Sequence, residues 1–514
     1  MNQRRYLIRG AFLLTLAGLL TRIAGFFYKI FLSRTIGAKE IGLFQLTFPV
    51  LAFCMAASCG GIQTAISRYT AEYCARKEHR TSFRILLSGT AFAGTLSLLC
   101  AAALYFGAPF LAGRFLLEPA CAPLLRILAF SLPFGVLHNC VNGYFLGRKN
   151  VPASAAAQLI EQMLRITAVL LFYVTFTSGG RKPDATIMAL GQLAGELAAA
   201  VFCTLYLCFA PKHSEPSEEP ARTTPKSELR TSSILRSLLG VSVPLGLNRM
   251  LLCVLQGVEA ALLPQQLRLF GLSSHEALSV YGTLTGMALP LILFPTAVTG
   301  ALGTLLLPAV SEARALGNKN QISSTVNASF FGSIVLGIFC LAAFVLFGED
   351  AGTLLFENEL AGIFIRRMAL VCPFLYLNTT LTGILHGLGR STAVFLWNVC
   401  SFLLRLAAII LFVPGAGIDA YILALLLGQL LTSVCALVLL RRLGSLTVSI
   451  PDSVIKPGLI VIVSGTAVCI LRLSVSAFAA GSAASLAALG TLYTVLVALG
   501  CWLLLMPRRG RLKR

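Results

Sequence analysis

The chain has 514 residues, 57% of them hydrophobic and only 12% charged, with a mean hydropathy of +0.84. Soluble domains carry about 25% charged residues, so a soluble enzyme or binding module is excluded in favour of a polytopic membrane protein. The net charge of +21 does not mark a nucleic-acid binder. Most Lys and Arg lie between apolar segments, where topogenic charge faces an anionic inner leaflet.

The apolar stretches are continuous runs of about 20 residues without alternation, which predicts an all-α membrane protein rather than a barrel. Fourteen transmembrane spans are expected, at roughly 8–35, 41–74, 84–108, 121–146, 153–177, 185–209, 236–264, 281–310, 323–347, 361–387, 393–413, 419–440, 454–475 and 484–506. The N-terminal Arg4 and Arg5 resemble a signal-peptide n-region. The run behind them carries Arg22 and Lys29 and lacks a small-x-small cleavage site, so a retained first helix is expected.

Inner segments hold Arg76, Lys77, Arg80, Arg148, Lys149, Arg230, Arg441, Arg442 and the tail Arg508 to Arg514. Outer segments hold only Arg34, Lys39, Arg114, Arg181, Lys182 and Arg268. This imbalance predicts a multi-pass protein of the cytoplasmic membrane with both termini cytoplasmic. Fifteen cysteines are scattered through apolar runs with no CxxC pair, and they read as small packing residues rather than disulfides or metal ligands.

A polar, proline-punctuated stretch, 211–232, reads as the one linker. It separates two copies of a repeat. Pro133-Phe134 recurs as Pro373-Phe374, Gly143 as Gly383, Leu164-Arg165 as Leu404-Arg405 and Glu72 as Glu312, all at an offset of 240. Each copy holds six spans, so both enter the membrane in the same orientation. The expected architecture is an N-lobe at 1–209 (TM1–6), a cytoplasmic linker at 210–235 and a C-lobe at 236–442 (TM7–12). Two further helices, TM13 and TM14, and a basic tail occupy 443–514. Parallel repeats of this kind place a cavity between lobes.

Intramembrane charge is functional by default, because a cation there costs at least about 2.5 kcal/mol. Arg22 and Lys29 stand about two helical turns apart on one face of span one, with no acidic residue in that span. They suit an anionic ligand such as a phosphate and suit a cationic drug poorly; the plainer role is snorkelling for Lys29 and an ion pair for Arg22. Arg68 and Glu72 form an expected i, i+4 pair near the inner end of span two. Arg249 and Glu259 in span seven complete the substrate-binding candidates. Glu161 and Arg165 stand at i, i+4 in span five and, with Glu196 in span six, form a structural or coupling ion pair. The second copy keeps Arg405 but has Ser401 in place of the glutamate. His138 and His386 read as packing or interfacial residues.

Absences narrow the function. There is no Walker A motif, since Gly389-Arg390-Ser391 lacks its Lys and upstream Gly, and no DxD pair. ATP hydrolysis and sugar transfer are therefore not expected, nor is any cofactor or metal; a coupling ion, H+ or Na+, is left open.

Thr21-Arg22-Ile23-Ala24-Gly25-Phe26-Phe27-Tyr28-Lys29 resembles the opening of the polysaccharide-exporter and flippase branch of the MOP superfamily. The stretch Asn142 to Asn150, followed by Leu159-Ile160-Glu161-Gln162-Met163-Leu164-Arg165, resembles the stage V sporulation protein B-like group, as does Tyr281 to Pro290 with Pro308 to Ala313. The resemblance implies fourteen helices in two V-shaped lobes that alternate between inward-open and outward-open states. It also implies movement of undecaprenyl-pyrophosphate-linked saccharides, lipid II or a related cell-wall precursor, across the membrane. In related lipid II flippases arginines of helix one engage the pyrophosphate; Arg22 matches such a position and Lys29 lies near the next. Those flippases carry an Arg near the start of span eight, where this chain reads Tyr281-Gly282-Thr283-Leu284.

The leading expectation is thus an alternating-access flippase for a lipid-linked saccharide, with membrane lipids and cell-wall synthesis enzymes as partners. The alternatives are a cation-coupled multidrug antiporter of the same superfamily and a non-transporting scaffold for wall synthesis.

Overall fold

The computed structural model describes residues 3–209, 231–446, 451–474 and 483–505. The linker at 211–230 and the basic tail at 506–514 lie outside the described residues. The described chain is helical throughout, as an apolar chain must be when its backbone groups find no water to bond.

The first copy of the repeat comprises α1 (Gln3–Thr35), α2 (Ala38–Cys59), α3 (Ile62–Ala75), α4 (His79–Phe110), α5 (Cys121–Gly147), α6 (Val151–Ser178) and α7 (Ala185–Phe209). The second runs through α8 (Thr231–Leu269), α9 (Ser274–Gly282), α10 (Leu289–Leu293), α11 (Thr296–Ala315), α12 (Lys319–Phe356), α13 (Glu359–Met368), α14 (Cys372–Gly387), α15 (Ser391–Ala416) and α16 (Ile418–Arg442). After the repeat come α17 (Lys456–Ser474) and α18 (Ala483–Leu505).

The repeat read from side chains is written in the backbone as well. Left-handed residues end corresponding segments 240 positions apart: Lys77 (φ 61°) with Gly317 (φ 67°), Leu117 (φ 57°) with Glu357 (φ 52°), and Lys149 (φ 61°) with Gly389 (φ 68°). Such residues close a helix by turning the chain out of the right-handed region. Helix packing repeats too. A Cβ on Gly143 would lie 2.6 Å from the Gln63 carbonyl oxygen, and one on Gly383 would lie 2.3 Å from that of Gly303. No other residue type allows α5 against α3, or α14 against α11, at that distance.

Fifteen helical stretches among the described residues are long and apolar enough to cross a membrane. The expected span at 281–310 is the source of the difference from fourteen. It is divided at Phe294–Pro295 into Ser274–Leu293 and Thr296–Ala315, because Pro295 removes a backbone donor and crowds the preceding turn. In the first copy the helix breaks instead at Gly60–Gly61, between α2 and α3.

Two compact units emerge from the packing. Unit 1 contains Met1–Tyr28 and Leu43–Ala261; unit 2 contains Lys29–Gly42 and Leu262–Arg514. These units cut across the 209/236 boundary, since most of α8 packs with unit 1 and the end of α1 with unit 2. Within unit 1, a Cβ on Gly61 would meet the Ser242 carbonyl oxygen at 2.3 Å, so α8 lies against the α2–α3 break. In unit 2, Ser33 Oγ donates to the Phe356 carbonyl (3.0 Å) and Arg34 Nε to that of Leu355 (3.0 Å), tying α1 to the end of α12.

Unit 1 is cored by Ile62, Ile66, Ile85, Val136, Val141 and Phe145. Unit 2 has one core around Val326, Leu381 and Ile384, and a second around Val461, Val468 and Tyr493, where α17 and α18 pack on α12. Tyr493 stacks on Phe339 with centroids 5.1 Å apart and donates to its carbonyl at 3.0 Å. Large apolar side chains such as Phe106, Phe110, Phe209 and Leu473 face outward, the pattern of a protein whose solvent is lipid.

Candidate functional site

Three helices of unit 1 bring polar side chains into an otherwise apolar interior. His138 on α5 is 6% exposed. Its Nδ1 lies 3.6 Å from Glu196 Oε2 on α7 and 3.9 Å from Glu161 Oε2 on α6. The three residues place one donor atom each within 4.8 Å of one another. Arg165, one turn beyond Glu161, bonds its carboxylate through Nη2 and donates from Nη1 to Gln162 Oε1 at 3.2 Å. Gln192 Nε2 donates to Glu196 Oε1 at 3.0 Å from the preceding turn of α7.

The local sequence makes the space. Gly135, on α5 one turn before His138, has no side chain where a Cβ would sit 3.0 Å from Glu196 Oε2. A larger residue there would push the carboxylate away from the imidazole. Asn139 uses its amide on the Gly135 carbonyl (2.7 Å), so it does not compete for the carboxylates.

Hydrogen bonding within the cluster is incomplete. Among the described residues, neither His138 nitrogen has a hydrogen-bond partner, and nor do Glu196 Oε2, Arg165 Nε or Asn142 Oδ1. An unpartnered buried polar atom costs about 1–3 kcal/mol, so the two His138 nitrogens and Glu196 Oε2, close to one another, call for a further partner. With the imidazole neutral and both carboxylates ionised, the cluster would carry one guanidinium against two carboxylates, a net single negative charge.

Of the sequence-derived candidates, Glu161, Arg165 and Glu196 are thus brought together. His138, read from sequence as a packing residue, is the member that reading missed. The available signal was the occurrence of ionisable residues in three consecutive spans. The substrate-binding candidates are dispersed. Arg22, Arg68 and Arg249 belong to unit 1 and are exposed; Lys29 is half-buried and belongs to unit 2; Glu259 is buried at 7% exposure.

The expected Arg68–Glu72 pair is replaced. Glu72 accepts from Arg76 Nη2 at 2.6 Å, the favoured order for an i, i+4 pair, glutamate before cation. Arg68 instead lies 5.9 Å from the centroid of the Tyr69 ring. His386 meets the Ser391 hydroxyl at 2.8 Å.

Comparison with known proteins places this architecture. A solved structure of "Lipid II flippase MurJ, inward closed conformation" superposes with a TM-score of 0.71 at 13% identity, covering 96% of this chain and 98% of that one. An inward-facing multidrug resistance MATE family transporter of the MOP superfamily superposes with a TM-score of 0.63 at 16% identity, covering 83% and 94%. The fold is therefore the one those two proteins share, and its many long apolar helices are those of a multi-pass membrane protein. The sequence model described as "Polysaccharide biosynthesis protein" matches residues 7–314 and 280–500, and the chain belongs to that family. It is 25% identical over 457 residues to Stage V sporulation protein B of Bacillus subtilis (strain 168), covering 88% of this chain and 87% of that protein. It is 21% identical over 456 residues to Lipid II flippase MurJ of the same organism, covering 85% and 82%.

Proposed function

We propose that this protein is a flippase that carries an undecaprenyl-pyrophosphate-linked saccharide, lipid II or a related cell-wall precursor, across the cytoplasmic membrane by alternating access. Its termini lie in the cytoplasm, and Arg22 engages the pyrophosphate, assisted by Lys29, Arg68 and Arg249. The observation that carries this reading is the near full-length match to both Stage V sporulation protein B and Lipid II flippase MurJ. The charge layout of unit 1 supports it. The accessible candidates Arg22, Arg68 and Arg249 are cationic, whereas Glu161, Glu196 and Glu259 are withdrawn from the surface. An exposed guanidinium is built to grip phosphate in two-pronged fashion.

The test is lipid II accessibility in cells depleted of their other flippases. The wild-type chain restores translocation, and Arg22→Ala abolishes it while inserting normally. Full flipping by the Arg22→Ala protein would overturn the assignment.

A second reading, a cation-coupled multidrug antiporter, is favoured by the buried carboxylates around His138 and by the MATE-like fold. It predicts ethidium efflux that is lost in Glu161→Gln and Glu196→Gln; absence of efflux from the wild type removes it.

A further inference from the structure

We propose that His138, Glu161 and Glu196 form a proton-binding site, loaded by one proton on the His138 imidazole, and that this proton is coupled to the transport cycle. Protonation stands on the cluster alone; its coupling to transport rests on the flippase reading above.

The argument begins with charge. Two carboxylates and the Arg165 guanidinium leave one negative charge in the interior of unit 1, which burial in apolar surroundings penalises. A single positive charge makes the cluster neutral, and a divalent ion would leave it positive. Sodium would find the two carboxylate oxygens, but the group between them is an imidazole, with both nitrogens lacking a hydrogen-bond partner among the described residues. Nδ1 faces Glu196 at 3.6 Å and Glu161 at 3.9 Å. A proton there converts an acceptor into a donor aimed at both carboxylates and meets the unsatisfied Glu196 Oε2. A modest rearrangement closes those gaps to hydrogen-bond length.

The groups around the imidazole come from several helices. From α6 come Glu161, Arg165 and Gln162, and from α7 Glu196, Gln192 and the Cys203 thiol, which feels the Glu161 charge. From α1 comes Tyr28, within electrostatic reach of Arg165. From α2 come the Met55 methyl, which closes on Gly135, and the Cys59 thiol, 3.8 Å from that of Cys140 on α5. Arg165 is already committed to Glu161 and Gln162, so the imidazole is the group left to balance Glu196. Histidine is also the side chain that changes charge near neutral pH. Three helices contribute to the cluster, so gain or loss of the proton alters the attraction between α5 and both α6 and α7, a two-state bias of the kind an alternating-access cycle requires.

The test uses the full chain in lipid nanodiscs with His79, His213, His275 and His386 replaced by Gln, which leaves one imidazole to observe. Its nitrogen-15 resonances should switch between neutral and imidazolium forms as pH is varied between roughly 5 and 8. Glu196→Gln in this background should move that transition to lower pH, since it removes the facing charge. A spectrum unchanged across that range, or one that responds to added Na+ instead, overturns the proton site.

Coupling is read in vesicles under an imposed pH gradient. A one-unit gradient should drive about a tenfold change in the distribution of fluorescent lipid II, and His138→Gln should remove that response while lipid II still binds. A titrating imidazole with gradient-independent transport overturns the coupling alone. Absence of lipid II transport at every pH counts against the flippase reading and leaves the nanodisc result standing. Glu196→Gln repeats the vesicle measurement should His138→Gln fail to fold.

Discussion

The two copies of the repeat carry the same site with opposite chemistry. At the offset of 240, His138 becomes Asn378, Glu161 becomes Ser401 and Arg165 is retained as Arg405. Glu196, in the segment aligned by Gly191-Gln192-Leu193 with Gly428-Gln429-Leu430, becomes Ser433. In the second copy the neutral counterparts settle locally. Asn378 Nδ2 donates to Gln429 Oε1 at 3.3 Å, Ser433 Oγ donates to the Phe374 carbonyl at 3.0 Å, and the Arg405 guanidinium lies 4.1 Å from the centroid of the Phe402 ring. Even the space is allotted differently: Gly135, which clears room for the Glu196 carboxylate, corresponds to Leu375. One packing geometry therefore supports a cluster with two carboxylates beside its arginine in one copy and a cluster with the arginine alone among neutral side chains in the other. What differs is the presence of carboxylates, not the path of the backbone.

Substitutions that make one copy resemble the other probe this contrast directly. The largest effect is expected from Glu161→Gln, which leaves Arg165 buried without its anion. Breaking a buried pair costs roughly 3–5 kcal/mol, and with both side chains about one-fifth exposed the lower end applies, about 3 kcal/mol. Thermal unfolding in detergent should show this loss, and adding Arg165→Gln should recover most of it. A Glu161→Gln protein as stable as the wild type would mean that the pair is only decorative.

Gly135→Ala should come next. Its Cβ meets Glu196 Oε2 and the Met55 methyl at 3.0 Å each, and such overpacking costs about 1–3 kcal/mol. Its sharper signature is functional: displacement of Glu196 should blunt the pH response of His138 in the nanodisc titration. An unaltered titration would show that Glu196 does not govern the imidazole.

Asn378→Ala is the smallest change. It removes one neutral hydrogen bond to Gln429, worth about 1 kcal/mol, and should leave pH dependence untouched. A pH phenotype from Asn378→Ala would erase the distinction between the copies.

Much of this was legible in the residues. The helical membrane class follows from long apolar runs, and the repeat from shared Arg, Pro and Gly at one offset. The Glu161–Arg165 pair follows from i, i+4 spacing, a local relation that needs no tertiary knowledge. Other expectations failed for identifiable reasons. Arg68 and Arg76 flank Glu72 at equal spacing, and only the chain direction favours Arg76. The span drawn at 281–310 holds two helical stretches, Ser274–Leu293 and Thr296–Ala315, with Pro295 between them. His138 lies 23 residues before Glu161 and 58 before Glu196, and nothing local joins them.

By itself, then, the sequence determined that this chain crosses a membrane as helices, repeats once, and places cations and carboxylates inside its spans. Helix, repeat and hydropathy are encoded by short-range periodicity and composition, so they survive without coordinates. The tertiary structure decided which of those charges meet. It left Arg22, Arg68 and Arg249 exposed, withdrew the carboxylates from the surface, and closed α5, α6 and α7 around His138. A contact between residues on different helices depends on helix rotation and close approach at glycines such as Gly135 and Gly143. Those are set by packing of the whole unit, which no single stretch of sequence records.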